Sequence, residues 1–415
     1  MATPGVDVRG EVRSWIDATW DPERPLVEWR RLLADSGWAM PSWPVDCYGR
    51  GLPPESDRIV AEELGRAGAV GVPVGVGIGL AAPTILAHGS PELKARLLHR
   101  IVTGEDMWCQ LFSEPGSGSD LAGLTTRADR DGDEWIVSGQ KVWNTSAHHA
   151  QLGLLLARTD WDATKHEGIT CFAIPMRQAG VEVRPLRQMN GHASFNEVFF
   201  DEARVPAANT IGEPGDGWRV AVTTLMYERR GAALQRPRFS GPTGRTVREA
   251  IAEADEYFST YSWYPQRAGR ADLVADAARA AGVAGDALVR QHIASVFSLQ
   301  RVIQWTAARA NTSRALGRPP GPEGSLAKLA ASNLARASYD AHALIAKAQG
   351  LLTGPSSFLD GVVAEVLVSV PAVSIAGGTD EIQRNIIGER VLGLPKEPQV
   401  DRDVAFRSIP RNARH

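Results

Sequence analysis

The spacing of hydrophobic residues changes period twice along the chain. From Glu11 to Trp20 the apolar positions Val12, Trp15, Ile16 and Ala18 form a stripe at helical spacing, and Leu26 to Ser36 repeats it with Trp29, Leu32 and Leu33 before Gly37 stops it. Pro41, Pro44, Gly49, Gly51, Pro53 and Pro54 then predict a loop, Glu55 to Gly65 a third helix, and Pro91 to Gly104 a helix opened by proline, with Leu93, Leu97, Leu98 and Ile101 on one side. Between these, Ala67 to Ala87 carries no charge over a length that would span a bilayer. Five glycines and two prolines interrupt that run and no second span accompanies it, so a buried helix pair is expected there.

Beyond residue 108 the period becomes that of strands. Glu134 to Val142 follows Asp131-Gly132, a hairpin signal, and Leu152 to Ala157, Gly168 to Ile174, Val181 to Val183 and Asn196 to Phe200 are short β-rich runs between turn residues. Five such runs without intervening helices predict an antiparallel sheet. After Glu213-Pro214-Gly215 the helical period returns through Leu288 to Leu316 and Leu326 to Leu352. Thr379 opens a last helix with Asp380 and Glu381 in its first turn, ending before Pro395. The expected fold is mainly α with a central β domain: an N-terminal helical domain (1–107), an antiparallel, barrel-like middle domain (108–215), a C-terminal domain of four-helix-bundle type (216–395), and an Arg/Pro-rich tail (396–415) lying loosely on the surface.

Composition narrows the partners. The chain has 415 residues, 43% of them hydrophobic, enough for two or three domains around a sizeable core. A formal charge of -3, with six lysines among 45 basic residues, leaves no basic block for nucleic acid. Cys47, Cys109 and Cys171 are odd in number and far apart, which fits a reducing compartment and offers neither disulfide framework nor metal-ligand spacing. The start MATPGVDVRG lacks the apolar core of a signal peptide, so a cytoplasmic protein is expected.

The candidate chemistry gathers in Phe112-Ser113-Glu114-Pro115-Gly116-Ser117-Gly118-Ser119-Asp120 and in Trp143-Asn144-Thr145. A Gly/Ser run lets a ligand approach the backbone and offers N–H and hydroxyl donors to a phosphate or an electron-rich ring. An exposed turn is the plain alternative. Gly377-Gly378-Thr379 leads into a helix N-terminus, where free N–H groups favour anionic ligands; a Gly-Gly turn capped by threonine is again the plain reading.

Four stretches carry a resemblance: Gln110 to Gly123 (QLFSEPGSGSDLAG), Gly139 to Thr145 (GQKVWNT), Ser194 to Asp201 with Arg204-Val205-Pro206, and Gly378 to Arg384 (GTDEIQR). In this order and spacing they resemble the acyl-CoA dehydrogenases. The resemblance implies FAD, with Phe112 and Ser113 against the isoalloxazine, Gly118 in the same loop, Ser119 at flavin phosphate or acyl-CoA, Trp143 and Thr145 flanking the ring, and Asn144 between them also at the cofactor. It also implies that Gly378, Thr379 and Glu381 reach the cofactor, that an acyl-CoA is the substrate, that an electron-transfer flavoprotein takes the electrons, and that the protein is a homo- or hetero-oligomer.

Desaturating a thioester needs a carboxylate to remove the α-proton while hydride leaves the β-carbon. One subgroup of the family carries that glutamate just before the Gly-Thr of the last motif, where this chain has Gly377. The other family location is a Glu-Arg pair after the sheet domain, here Glu228-Arg229, which implies Glu228 as base and Arg229 beside the substrate. Periodicity agrees: Ala221, Leu225, Glu228, Ala232 and Gln235 share a stripe, so Glu228 interrupts a largely apolar face, where a carboxylate is either functional or in a structural ion pair. The family's Arg-x-x-Phe-Gly motif is missing, and a segment from Arg236 to Asp286 holds the aromatic cluster Tyr257, Phe258, Tyr261, Trp263 and Tyr264, readable as a substrate or subunit surface or as local packing. This variant pattern resembles actinobacterial members, some acting on CoA esters of steroid side chains. Alternatives are a same-fold flavin oxidase or monooxygenase using oxygen, and a non-catalytic subunit of a heteromeric dehydrogenase.

Overall fold

The computed structural model describes residues 7–228, 239, 243–315, 323–398 and 401–410. The chain divides into two compact units, one comprising Met1–Leu186, Ser194–Ser259 and Val400–His415, the other Arg187–Ala193 and Thr260–Gln399.

The first unit begins with helices α1 (Val8–Thr19), α2 (Leu26–Asp35), α3 (Glu55–Arg66), α4 (Ala82–His88) and α5 (Pro91–Thr103). Local chemistry sets their ends. Ser90 Oγ accepts from Leu93 N, Pro91 takes the first helical position, and Gly104 stops α5 in the left-handed region at φ 80°. Their core centres on Trp29, fully buried, with Trp15 and Trp20 at ring-centroid distances of 5.5 and 4.6 Å and its indole N–H donating to Val70 O at 2.6 Å.

The uncharged run from Ala67 to Ala87 forms one helix instead of the expected pair. Residues 68–75 are irregular, with Gly68 and Gly75 at φ 68° and 111°, and the helix starts only at Gly77 with a π turn (Gly77–Ala81) that leads into α4. Its glycines and Pro73 break the first half. Gly77 is also a point of close approach between helix and sheet, since a Cβ there would lie 3.2 Å from the Trp108 ring. Among the described residues no helix is long and apolar enough to cross a membrane.

The sheet follows: β1 (Trp108–Leu111), β2 (Arg127–Asp131), β3 (Glu134–Lys141), β4 (Leu152–Arg158), β5 (Ile169–Pro175), β6 (Val181–Leu186), β7 (Phe195–Pro206) and β8 (Thr210–Ile211). Its order is β6-β7-β3-β2-β4-β5-β8, with β1 on β4. The long ladders are antiparallel as the β-rich runs predict, but β1 pairs with β4 in parallel and β2 touches β4 in parallel through Arg127 and Arg158. A parallel partner needs a long crossover, and the stretch from 112 to 151 supplies it. β4 and β5 are buried almost throughout because both faces are covered. Leu154, Leu156, Ile169 and Cys171 pack with α5 and the α4 region, while Leu155, Ala157, Phe172 and Ile174 pack with Cys109, Val137, Val198 and Val205. Cys47, Cys109 and Cys171 are all buried free thiols, and burial pushes the last two well above the usual thiol range.

Helix α6 (Gly217–Glu228) returns along the sheet and buries Val220, Ala221 and Thr224, with Thr224 Oγ1 2.9 Å from Thr84 Oγ1 of α4. Helix α7 (Arg245–Phe258) lies on α2: Glu249 Oε2 accepts from Leu26 N at 2.7 Å, capping a helix preceded only by Pro25, and Glu253 pairs with the buried Arg30. The tail is not loose over residues 405–409. Phe406 is buried, its N–H donates to Ala163 O at 2.9 Å, and Arg407 N donates to Trp161 O at 3.0 Å. One aromatic residue with a ready site outweighs the polar composition around it.

The second unit contains α8 (Tyr264–Arg267), α9 (Val274–Ala280), the long pair α10 (Ala287–Ala315) and α11 (Glu323–Ala346), α12 (Val362–Ser369) and α13 (Asp380–Arg390). Residues 187–193 join it through His192, which meets Glu365 of α12 at 2.7 Å, and Asn190, which donates to Ser369 Oγ at 3.1 Å. Of the aromatic cluster, Tyr257 packs against Gly75 in the first unit, whereas Tyr261 and Trp263 are buried in the second; these three serve packing.

One ion cluster joins α1 to α3. The Glu63 carboxylate, 1% exposed, accepts from Arg13 Nε at 2.9 Å and Arg66 Nε at 2.8 Å and also pairs with Arg9. Glu63→Gln is expected to lower stability by about 2 kcal/mol, the scale of hydrogen bonds to a charged group, in denaturant unfolding. Glu62→Gln, at the exposed partner of Arg9 and Arg58, leaves the midpoint nearly unchanged.

Candidate active site

The site is built where the end of β1 meets the end of β3. Phe112, buried, and the half-buried Ser113 leave β1, and Ser113 O accepts from Val142 N at 2.9 Å, so residues 110–114 lie beside 141–145. Beneath them is an ion pair. Lys141 Nζ, fully buried, lies 2.9 Å from Glu114 Oε1 and donates to Phe112 O at 3.0 Å. The Glu114 carboxylate also accepts from Thr125 N (2.7 Å), Thr125 Oγ1 (2.9 Å) and Thr126 N (2.8 Å). Burial works against the carboxylate's charge, but Lys141 and these donors outweigh it and hold the carboxyl at about 2. Burial likewise pulls the Lys141 ammonium down, with Glu114 opposing.

The loop beyond is tight and then open. Glu114 and Ser117 exchange backbone hydrogen bonds at 2.9 and 3.0 Å, and Ser117 Oγ donates to Asp120 O at 2.5 Å. Gly118 and Ser119 are exposed. A Cβ built on Gly116 or Gly118 meets nothing within 4 Å, and neither glycine has a positive φ, so nothing in the protein itself demands glycine there.

Trp143 has φ 65°, a costly backbone for a bulky residue; it is 55% exposed, and its ring stands nearly perpendicular to that of Phe195 with centroids 5.7 Å apart. The backbone is imposed by its neighbours: Asn144 and Asn196, both buried, exchange N–H···O bonds at 3.0 Å each way, and Asn144 Nδ2 donates to Gln110 O at 2.8 Å. Asn144 Oδ1 is buried with no hydrogen-bond partner, and Thr145 is half-buried. An exposed flat indole, an unmet buried acceptor and an open glycine-lined loop fit a planar, polar-edged group such as a flavin.

Glu228, half-buried, ends the described part of α6, and its Oε2 accepts from Gln110 Nε2 at 3.2 Å. Gln110 therefore joins the Glu228 carboxylate to the Trp143–Asn144 turn, through its side chain on one side and its carbonyl on the other. Its motif alone assigns Gln110 no role; a polar side chain within an otherwise buried strand is the signal the sequence carries. Arg229, Ala232 and Gln235 lie outside the described residues.

Gly378, Thr379 and Glu381 belong to the second unit. Gly377 and Gly378 turn at φ 69° and 84°, and a Cβ on Gly378 would come within 2.6 Å of Gln383 Nε2, which donates to both of their carbonyls. Thr379 Oγ1 caps α13 by accepting from Ile382 N at 3.3 Å, and Glu381 is exposed beside Arg384. Asp380 is buried against Lys328 (2.9 Å) and Arg336 (3.0 Å) of α11, which assigns it to structure.

The architecture and these sequence stretches coincide with one family. The acyl-CoA dehydrogenase N-terminal, middle and C-terminal domain models match residues 8–105, 109–203 and 271–392. Acyl-CoA dehydrogenase IpdE1 of Mycobacterium tuberculosis is 36% identical over 375 residues, 89% of this chain and 88% of that protein. The short-chain specific mitochondrial enzyme of Sus scrofa is 35% identical over 193 residues, 46% of each chain. A chain of the ChsE4-ChsE5 complex from M. tuberculosis superposes with TM-score 0.64 at 26% identity, covering 96% of this chain and 100% of that one. The chain belongs to the acyl-CoA dehydrogenase family and is an FAD-dependent oxidoreductase.

Lys141→Met leaves Glu114 buried without its cation and is expected to cost about 3 kcal/mol in denaturant unfolding at pH 7. Because the Glu114 carboxyl sits at about 2 in the fold against an ordinary 4.5, the stability it contributes is complete above pH 4.5 and is lost as pH falls toward 2. The difference between wild type and variant is therefore expected to shrink across that window.

Proposed function

We propose that this protein introduces an α,β double bond into a CoA thioester, with Glu228 as the base that removes the α-proton. One observation carries the reading: the Glu228 carboxylate is held by the side chain of Gln110, two residues before Phe112, and so lies beside the surface that fits the flavin. Phe112, Ser113, Trp143, Asn144 and Thr145 would hold the ring system, Gly118 and Ser119 a phosphate of the cofactor or of CoA, and Gly378, Thr379 and Glu381 another part of the cofactor. Arg229 would contact the substrate. FAD, when bound, supplies the acceptor for the hydride leaving the β-carbon.

The protein's own share is proton transfer and orientation. Glu228 must be ionised to accept the proton, and the Gln110 amide N–H donates to it and orients it. An electron-transfer flavoprotein is the proposed acceptor of the electrons, and assembly with a second copy or a related chain is part of the proposal.

Glu228→Gln is expected to slow anaerobic flavin bleaching by an acyl-CoA at least roughly 100-fold while leaving the flavin bound, the scale of losing a general base. Undiminished bleaching would remove Glu228 from the mechanism. Rapid reoxidation of the reduced wild type in air would instead favour the oxygen-using reading, and a purified protein without flavin colour the non-catalytic one.

A further inference from the structure

The described C-terminal residues reach the Gly/Ser loop's exit by two routes, each through one basic side chain. Phe406, 2% exposed, lies over the guanidinium of Arg158, with Cζ 3.3 Å from the ring centroid. Arg158 is itself fully buried, and donates from Nη2 to Ala122 O (2.7 Å) and Lys165 O (3.2 Å) and from Nε to Leu124 O (3.2 Å). The second route uses Lys165, whose Nζ donates to Asp120 Oδ2 at 2.7 Å and to Asp401 Oδ2 at 3.2 Å. Asp401 and Phe406 thus bear, through Lys165 and Arg158, on the two ends of one short turn, residues 120–124, which immediately follows Gly118 and Ser119. Backbone bonds from Phe406 and Arg407 to Ala163 and Trp161 seat the segment on the loop that carries Lys165.

The geometry points to a positioning role: we propose that residues 401–410 act as a strap that fixes the 120–124 turn and so presets the Gly/Ser loop for its ligand. The aromatic contact matters because a guanidinium that donates to carbonyls from its edge still has a flat face to cover, and Phe406 covers it. Only the link to ligand binding rests on the reading of this loop as a cofactor site; the mechanical claim stands on the hydrogen bonds and the Phe406–Arg158 contact.

Hydrogen exchange on the flavin-free full-length protein tests the mechanical claim. Phe406→Ala, and independently Asp401→Asn, are expected to raise exchange across residues 114–125 by about tenfold, with exchange in α5 unchanged. Phe406→Tyr should restore protection, and Arg407→Ala, which breaks only the exposed pair with Asp162, should leave that loop protected. Increased exchange confined to 159–168 in both variants, or a rise in α5 equal to that in 114–125, would overturn the strap. FAD titration of the same variants then separates the two readings. A dissociation constant raised by about tenfold supports both, whereas a loosened loop with unchanged FAD affinity keeps the strap and removes this loop from the cofactor site.

Discussion

Two charges taken out of water together govern the site. The Lys141–Glu114 pair is acceptable inside the protein because both charges are partnered: the ammonium by a carboxylate and the Phe112 carbonyl, the carboxylate by Lys141 and three donors from residues 125 and 126. Those partners come from the end of β3, from the exit of β1 and from the residues just before β2, so the pair ties three segments at one point. Shifting any of them would leave a buried charge unmet, so the pair acts as a register pin. It defines where the Gly/Ser loop departs and where the Trp143 turn stands beside it.

The cost of that arrangement is visible next to it. Trp143 occupies a backbone region that its side chain disfavours, and Asn144 buries an acceptor without a partner. Neither feature improves the packing of the isolated protein, and both are held by bonds from Asn196 and to Gln110. Strain and unmet polarity standing beside an open, glycine-lined loop make a surface ready for something flat with polar edges, which agrees with a family of flavoproteins.

Much of this was legible in the residues, wherever the governing chemistry is local. Ser90-Pro91 and Gly104 bound α5, Thr379 starts α13, and Asp131-Gly132 turns the β2–β3 hairpin because caps and turns depend on a few neighbours. β1, β2 and β8 escaped because they are short, because β2 is almost wholly charged or exposed, and because their pairing is decided by distant strands. The tail misled for a related reason: Phe406 is one aromatic in an Arg/Pro-rich stretch, and only the folded sheet reveals the guanidinium it covers. The Gln110–Glu228 contact has the same character, joining residues 118 positions apart with no periodic signal to announce it.

The thiols buried in the sheet have a practical meaning. Cys171 of β5 belongs to the core shared with the helices, and Cys109 of β1 to the core on the sheet's other side. Both are held in the unreactive protonated form by the same apolar packing that makes the strands stable. A thiol reagent therefore has no chemistry with either residue until its side of the sheet parts from what covers it. The molecule carries two native probes of breathing, one for each face, without any engineered label.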